Sequence, residues 1–339
     1  MKVCLYLESS GLLSRSGLHS AYRNHCRALT LAQLDYTTDP NGPHDLLHLH
    51  WFGPRSVRLL ARAKRKGIPV VISTHSIGKY DFTGGFTGTS LLAPAYQQLL
   101  HGIYRRADAL FAPSRFAQRV LAEQGLGPVY VVSNGVDLAR WQGCDQRRRT
   151  WRDRLRLTGF TAYCAGNVLP RKGVLEFIEV ARRLPRHEFL WFGQRWGPLA
   201  FYPRMERAIR RAPANVRFVG FVDKPEAAYD ACDLFFFPTA GESQGLACLE
   251  AAALGKPLVL QDVPAFSELG SGKDCLKGST VDEHCAHIAA VSADAELRDR
   301  LAQASRKLAR EHDLARVGRR LAELYALVMA GKEEACARW

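Results

Sequence analysis

No apolar run in this sequence approaches the ~20 residues that a bilayer-spanning helix needs. The opening Met1-Lys2-Val3-Cys4-Leu5-Tyr6-Leu7 turns polar too soon for a signal peptide, so the expectation is a protein that stays in the cytosol. The nine cysteines are scattered, odd in number and free of any C-x-x-C pair, which favours buried reduced thiols over zinc sites or disulfides. No D-x-D pair offers itself to a divalent cation, so no metal or other cofactor is expected. Low-complexity tracts and repeat periods are missing too, which excludes fibres and solenoids.

What is there suits two domains. The 339 residues allow two cores of about 150 to 180 residues each, and 47% hydrophobic with 24% charged residues is an ordinary globular composition. The net charge of +14 is uneven: residues 1 to 155 carry 21 basic against 10 acidic side chains, residues 156 to 339 carry 26 against 23. Apart from simple solubility, a basic first half suits an anionic partner: nucleic acid, an acidic substrate or a membrane surface.

Short apolar runs alternate with amphipathic stretches, the pattern of β-α units and parallel sheets. Strands are expected at Val3–Leu7, Leu46–His50, Val70–Thr74, Ala109–Ala112 and Val129–Val132, then at Tyr163–Ala165, Phe189–Phe192, Val216–Val219, Leu234–Phe237 and Leu258–Leu260. Helices are expected between the first set at Leu18–Leu31, Ser56–Lys66, Leu91–Arg106 and Arg115–Glu123. The arginine-rich stretch Gln142–Arg156 breaks the rhythm. The expected division is a domain over 1–155, a second over 156–312 and a closing helix over 313–339. A ligand belongs at the carboxyl ends of the strands, facing the cleft between domains.

The most informative segment runs from Asp233 through Pro238, Glu242, Gly245, Glu250 and Gly255 to Pro257, a strand, loop, helix and next strand. Gly245 lets backbone approach a ligand where the unpaired amides of Leu246 and Ala247 and the positive helix end suit a phosphate. Glu250, ~7.5 Å further along the axis, can face the same side one group deeper and suits a ribose diol. Glu242 can reach the sugar beyond the diphosphate. Taken alone, Glu250 reads equally as an ordinary surface carboxylate and Glu242 as a solvated loop charge.

The run E-S-Q-G-L-A-C-L-E-A-A-A-L-G-K-P resembles the E-x7-E signature of the family 4 retaining glycosyltransferases, which have the GT-B fold of two Rossmann-like domains facing a central cleft. The resemblance implies that Glu242 contacts the transferred sugar and Glu250 the ribose. Gly166-Asn167-Val168-Leu169-Pro170-Arg171-Lys172-Gly173 resembles the family's phosphate loop, G-R-L-x-x-x-K-G, with Asn167 where arginine is usual. Lys172, with Arg171 beside it, would neutralise the leaving diphosphate; alone, such a pair before a helix reads as solvated. His75, in Thr74-His75-Ser76 after a strand, matches the family's active-site histidine, although a lone histidine there is more often structural. Gly17 matches a flexible glycine loop that closes over donor and acceptor, and Pro113-Ser114-Arg115-Phe116 and Ser133-Asn134-Gly135-Val136-Asp137 are further landmarks.

Thr37-Thr38-Asp39-Pro40, Gly53-Pro54, Asp81-Phe82 and Phe86-Thr87-Gly88 bring the resemblance nearest to bacterial 1,2-diacylglycerol glucosyltransferases. It implies metal-independent, retaining transfer of a hexose, glucose from UDP-glucose, to a diacylglycerol-type lipid, with a soluble or cell-surface glycan as the alternative acceptor and the final helix crossing back to the first domain. The basic helix carrying Arg55, Arg58, Arg62 and Arg65, helped by Leu91–Arg106, would dock on anionic membrane at the inner face of the cell. A glycosidase built on Glu242 and Glu250 is disfavoured by the phosphate-ready helix start between them. A nucleic-acid binder would leave the acidic pair unexplained, and no such partner is expected. A silent sugar-nucleotide-binding module differs from the enzyme only in turnover.

Overall fold

The computed structural model describes residues 1–11, 13–78, 85, 87, 89–197 and 201–337. The sequence landmarks at Asp81, Phe82, Phe86 and Gly88 lie outside the described residues. The chain divides into two compact units: unit 1 comprises Met1–Tyr80, Leu92–Gly135 and His312–Trp339, and unit 2 comprises Asp81–Leu91 and Val136–Glu311.

Unit 1 alternates strand and helix: β1 (Lys2–Tyr6), α1 (Gly17–Leu31), β2 (Asp35–Thr37), β3 (Leu46–Leu49), α2 (Pro54–Arg65), β4 (Val70–Ser73), α3 (Thr89–Tyr104), β5 (Ala109–Ala112), α4 (Arg115–Glu123) and β6 (Val129–Val131). The strands form one parallel sheet in the order β2-β1-β3-β4-β5-β6. β3, β4 and β5 are buried at every position, so both sheet faces are covered and the strands read as continuous apolar runs. On one face Leu49, Ile72 and Leu110 pack with Leu60, Leu100, Tyr104 and Leu121 of α2, α3 and α4. On the other, Leu5, Val71 and Phe111 pack with Ala28 and Leu29 of α1 and with Leu314, Leu321 and Tyr325.

Unit 2 continues with α5 (Asp145–Arg154), β7 (Thr161–Ala165), α6 (Val174–Arg183), β8 (Glu188–Phe192), α7 (Pro203–Arg210), β9 (Val216–Gly220), α8 (Pro225–Asp230), β10 (Leu234–Phe237), α9 (Leu246–Ala253), β11 (Leu258–Gln261), β12 (Leu276–Gly278), α10 (Val281–Ala293) and α11 (Ala295–Glu311). Its parallel sheet runs β12-β11-β10-β7-β8-β9. Strand order reverses between β7 and β10, and such a switch point leaves a crevice at the carboxyl ends of those two strands.

The last helix, α12 (Leu314–Ala337), follows unit 2 in sequence and belongs to unit 1. Its Gly318 touches α1 so closely that a Cβ there would lie 2.2 Å from the Ala28 carbonyl oxygen.

Two expectations change. The arginine-rich stretch is no interruption: it forms α5 within unit 2. Arg148 binds Asp233 and the Cys232 carbonyl, and Arg152 reaches the carbonyls of Ala231 (3.0 Å) and Gly159 (2.8 Å). These arginines tie the entrances of β7 and β10 together, because Asp233 also accepts from the Thr161 amide at 2.8 Å. The edge strands β2 and β12 escaped notice because Asp-Tyr-Thr and Leu-Lys-Gly carry no apolar run. The described cysteines are free thiols, and those at Cys4, Cys164, Cys232, Cys248 and Cys275 are buried.

The α1–α12 contact gives a direct test. Gly318→Ala forces the two helices apart and should lower Tm by roughly 5 °C or more, the effect of losing a tight core contact. Gly102→Ala, in α3 with nothing within 4 Å of its Cβ, should leave Tm unchanged or raise it. Equal Tm values for the two variants in a thermal melt would show that α12 is not held against α1.

Candidate functional site

The loops after β7 and β10 interlock at the switch point of unit 2. Pro170–Lys172 forms a 3-10 turn ended by Gly173, whose φ of 79° is left-handed. A Cβ on Gly173 would lie 1.9 Å from the Pro238 carbonyl oxygen, so only glycine lets the loops meet. The Ala240 amide donates to the Arg171 carbonyl at 2.7 Å, and the Arg171 guanidinium donates to the Gly241 carbonyl at 3.1 Å.

This contact brings Lys172 and Glu242 into a direct ion pair, with both side chains nine-tenths shielded or nearly so. Thr239 Oγ1 donates to the same Glu242 oxygen at 2.8 Å, and Lys172 Nζ sits 5.3 Å above the Phe237 ring. Burial pushes the Glu242 carboxyl up, but Lys172 and Arg171 outweigh it and hold the group below its ordinary pKa. Burial lowers the Lys172 pKa, with Glu242 partly restoring it. Two cations against one carboxylate leave the loop pair positive, as an anionic ligand requires.

Gly245, at φ 83°, caps α9 without a side chain and packs 3.1 Å, measured from an ideal Cβ, from the Phe266 ring. The first amides of α9, those of Leu246 and Ala247, therefore have no intrahelical partner. Arg171, Lys172, Glu242 and the Gly245 helix start thus share one corner of unit 2.

Glu250 lies elsewhere on α9, half-buried, with Arg140 and Glu226 as its charged neighbours rather than Lys172. Arg140 pairs with Glu226 at 3.2 Å and lies over the Trp141 ring. Tyr163 and Tyr229 lie near Glu250, their ring centroids 4.9 Å apart, and the buried Tyr163 hydroxyl has no partner among the described residues. Burial drives the Glu250 pKa to about 8, opposed by Arg140 and reinforced by Glu226, and its carboxyl makes no hydrogen bond among the described residues. A carboxyl without a hydrogen bond among the described residues, raised in pKa by burial beside a specific charge pair, is a candidate for ligand contact. Arg140 and Thr239, which flank the two carboxylates, had no motif to announce them.

In unit 1, His75 follows β4, half-buried, with His50 Nδ1 3.1 Å from its Nε2. Gly17 does not sit in a loop: Ser16 Oγ accepts from the His19 amide as an N-cap, which makes Gly17 the first residue of α1. Glu8 caps α2 by accepting from the Ser56 and Arg55 amides at 2.6 and 3.2 Å. Along α2, Arg58, Arg62 and Arg65 are exposed and form no ion pair among the described residues, while Arg55 turns to the Tyr6 ring. Leu92 and Leu99 of α3 are 62% and 60% exposed. No described helix is long and apolar enough to cross a membrane.

Residues 16–140 match the model "Glycosyltransferase Family 4" and residues 159–295 the model "Glycosyl transferases group 1". The chain is 31% identical to a processive diacylglycerol alpha-glucosyltransferase of Acholeplasma laidlawii, covering 78% of this chain and 80% of that protein. It is 26% identical to an alpha-galactosylglucosyldiacylglycerol synthase of Streptococcus pneumoniae, over 78% and 74%. Among solved structures, the Anabaena protein HepE in complex with UDP and glucose superposes with a TM-score of 0.79 at 16% identity, over 96% of this chain and 99% of that one. That likeness speaks for the fold: two Rossmann-like units with a returning final helix.

The raised pKa of Glu250 has a sign that can be checked. Folding favours its protonated form, so this group's stability is complete below its ordinary value of 4.5 and is lost as pH rises through about 8. Glu250→Gln keeps the shape without the charge. Its Tm should exceed that of wild type by roughly 2 °C or more at about pH 9, with the gap closing by about pH 5. A Tm difference independent of pH would mean that the carboxyl is solvated in the fold.

Proposed function

The chain belongs to the family 4 glycosyltransferases, and we propose that it transfers glucose from UDP-glucose to the hydroxyl of a diacylglycerol-type membrane lipid, with retention of configuration. The observation that carries this reading is the Lys172–Glu242 pair, set beside the uncapped start of α9 at the switch point of unit 2. The names of the two lipid-glycosylating relatives support the acceptor class.

Each group then has a task that fits its chemistry. Lys172 spends one of its three N–H donors on Glu242 and has two for the diphosphate, which Arg171 and the Leu246 and Ala247 amides also meet. This neutralises the leaving group without a metal. Glu250, whose carboxyl makes no hydrogen bond among the described residues, accepts from the ribose diol, whose O–H donors favour its ionised form over the protonated one. Glu242, steadied by Lys172 and Thr239, accepts from hydroxyls of the transferred sugar, and His75 meets the sugar beside the reacting carbon. The acceptor attacks from the leaving-group side and the diphosphate takes its proton. Unit 2, which includes α5 and Arg140, would hold the donor and unit 1, with the returning α12, the acceptor.

A donor-by-acceptor screen with mass detection tests the whole. UDP-glucose with diacylglycerol should yield a lipid heavier by one hexose, in EDTA as well as in its absence. Product from soluble glycans alone would overturn the lipid acceptor, and a complete, metal-reversible loss in EDTA would overturn the metal-free mechanism. By calorimetry, Glu250→Ala and Lys172→Ala should weaken UDP binding by about ten- to a hundredfold, the loss of one charge-assisted hydrogen bond. Glu242→Ala and His75→Ala should lower turnover more than UDP affinity.

We further propose that unit 1 sits on the cytoplasmic membrane surface through α2. Its unpaired Arg58, Arg62 and Arg65 each contribute about 1 kcal/mol near an anionic leaflet, and the exposed Leu92 and Leu99 of α3 add apolar contact. Sedimentation with vesicles should rise with anionic lipid content and fall with salt. The triple variant Arg58→Gln, Arg62→Gln, Arg65→Gln should stay in the supernatant; equal pelleting would remove α2 from the account.

A further inference from the structure

The amino ends of β7, β8 and β9 lie at the opposite edge of the unit 2 sheet from the Lys172–Glu242 corner, because these strands are parallel. An open cavity of about 420 Å³ is set there, lined by the turns that lead into the three strands. That volume falls in the range of small-molecule sites. None of the groups assigned to donor or acceptor lies in it.

Its walls are held by the fold itself. Asn215 Nδ2 lies 2.9, 3.1 and 2.9 Å from the carbonyl oxygens of Ala181, Leu184 and His187, which pins the turn that carries Arg186. Glu188, the one carboxylate among the described lining residues, accepts from the Thr158 and Gly159 amides at 2.8 and 3.1 Å and from Arg217 at 2.7 Å. Arg217 also donates to the Leu155 carbonyl, which leaves three of its five N–H donors uncommitted among the described residues. The other two arginines of the lining, Arg156 and Arg186, are exposed and make no side-chain hydrogen bond or ion pair among the described residues. Three guanidiniums against one carboxylate leave two positive charges over.

Arg156 is also held in a conformation that costs stability. α5 ends in a Schellman motif: the Leu157 amide donates to the Arg152 carbonyl at 2.9 Å and the Arg156 amide to the Asp153 carbonyl at 3.0 Å. Arg156 therefore sits at φ 49°, in the left-handed region where glycine is the usual occupant and an arginine is strained. A basic side chain near the carboxyl end of a helix ordinarily serves by meeting the last carbonyls. Arg156 meets none of them among the described residues, and the Leu155 carbonyl is taken by Arg217. Strain that the fold itself does not use points to a function for the side chain.

We infer that this cavity is a second anion site of unit 2, one that takes a phosphate group through the guanidiniums of Arg156, Arg186 and Arg217. Forked N–H donors match the oxygens of a phosphate, and a charge of about two is what a phosphomonoester brings. At about 420 Å³ the cavity has room beyond one phosphate, so the class is a small phosphorylated solute or the headgroup of a phosphate-bearing lipid. A phosphate held there joins the entrances of three strands and stabilises unit 2 by mass action.

Thermal melts of the full chain, with saturating UDP to occupy the donor corner and ionic strength held constant with chloride, test the site with inorganic phosphate as the probe. Wild-type Tm should rise by roughly 2 °C or more with phosphate well above its dissociation constant, and the rise should persist in Lys172→Ala. Arg156→Gly should act in two opposite senses: it should raise Tm by roughly 2 °C in chloride alone, by relieving the left-handed backbone, and weaken phosphate binding by about tenfold or more. Arg186→Gln should weaken phosphate to a similar degree at unchanged Tm in chloride. An equal phosphate rise in wild type and Arg156→Gly, or a rise lost in Lys172→Ala, overturns the site. A lower Tm for Arg156→Gly in chloride assigns the arginine to its helix end and overturns the inference with it. Sedimentation in the Arg58→Gln, Arg62→Gln, Arg65→Gln background separates the two sources. Pelleting with phosphatidic acid vesicles that free phosphate reverses and Arg156→Gly abolishes marks a lipid headgroup, whereas a phosphate rise in Tm without such pelleting marks a free solute.

Discussion

The candidate site depends on one steric constraint, the absence of a side chain at Gly173. Because nothing projects there, the turn after β7 can lie against the Pro238 carbonyl, and two loops distant in sequence become one surface. The Ala240–Arg171 bond and the Lys172–Glu242 pair follow from that approach. At the opposite ends of the same strands, Arg148 and Arg152 hold Asp233 and the backbone around it, so β7 and β10 are fastened at both ends. A site assembled on strand ends tied in this way needs little rearrangement to meet a ligand, and the ordering cost is met in folding rather than in binding.

Much of the unit 2 site was legible because its chemistry is punctuated locally. Pro238, Gly245, Gly255 and Pro257 mark strand end, helix start, helix stop and next strand, and they leave Glu242 and Glu250 at readable places. The partnership of Glu242 with Lys172 was not legible, since the two are 70 residues apart and only the sheet order brings them together. Arg140 and Thr239 act through neighbours, and neither is part of a motif. The stretch holding Arg148 and Arg152 was read as a break in the rhythm because their targets, Asp233 and backbone carbonyls about 80 residues on, leave no trace in its own composition. Gly17 was placed in a loop by the family resemblance, whereas the Ser16 N-cap makes it the first residue of α1.

Histidine serves two purposes in unit 1 that residue type alone cannot separate. His48 bridges Tyr325 and Ser73 and so joins α12 to the sheet, a structural use. His50, two residues on, reaches His75 at the strand ends. The distinction lies in the partner of each ring nitrogen, and a chain with eleven histidines gives no hint of it until those partners are in place.

The return of α12 to unit 1 has a consequence for how the molecule comes into being. Leu314, Leu321 and Tyr325 complete the face of a sheet whose first strand is built from residues 2 to 6. During synthesis, the chain from Val136 to Glu311 can emerge and close its own core while the earlier unit still lacks one of its covering helices. The half that is made first is therefore finished last, and until the final helix emerges the Ala28 side of that sheet stands open to whatever the cell offers it.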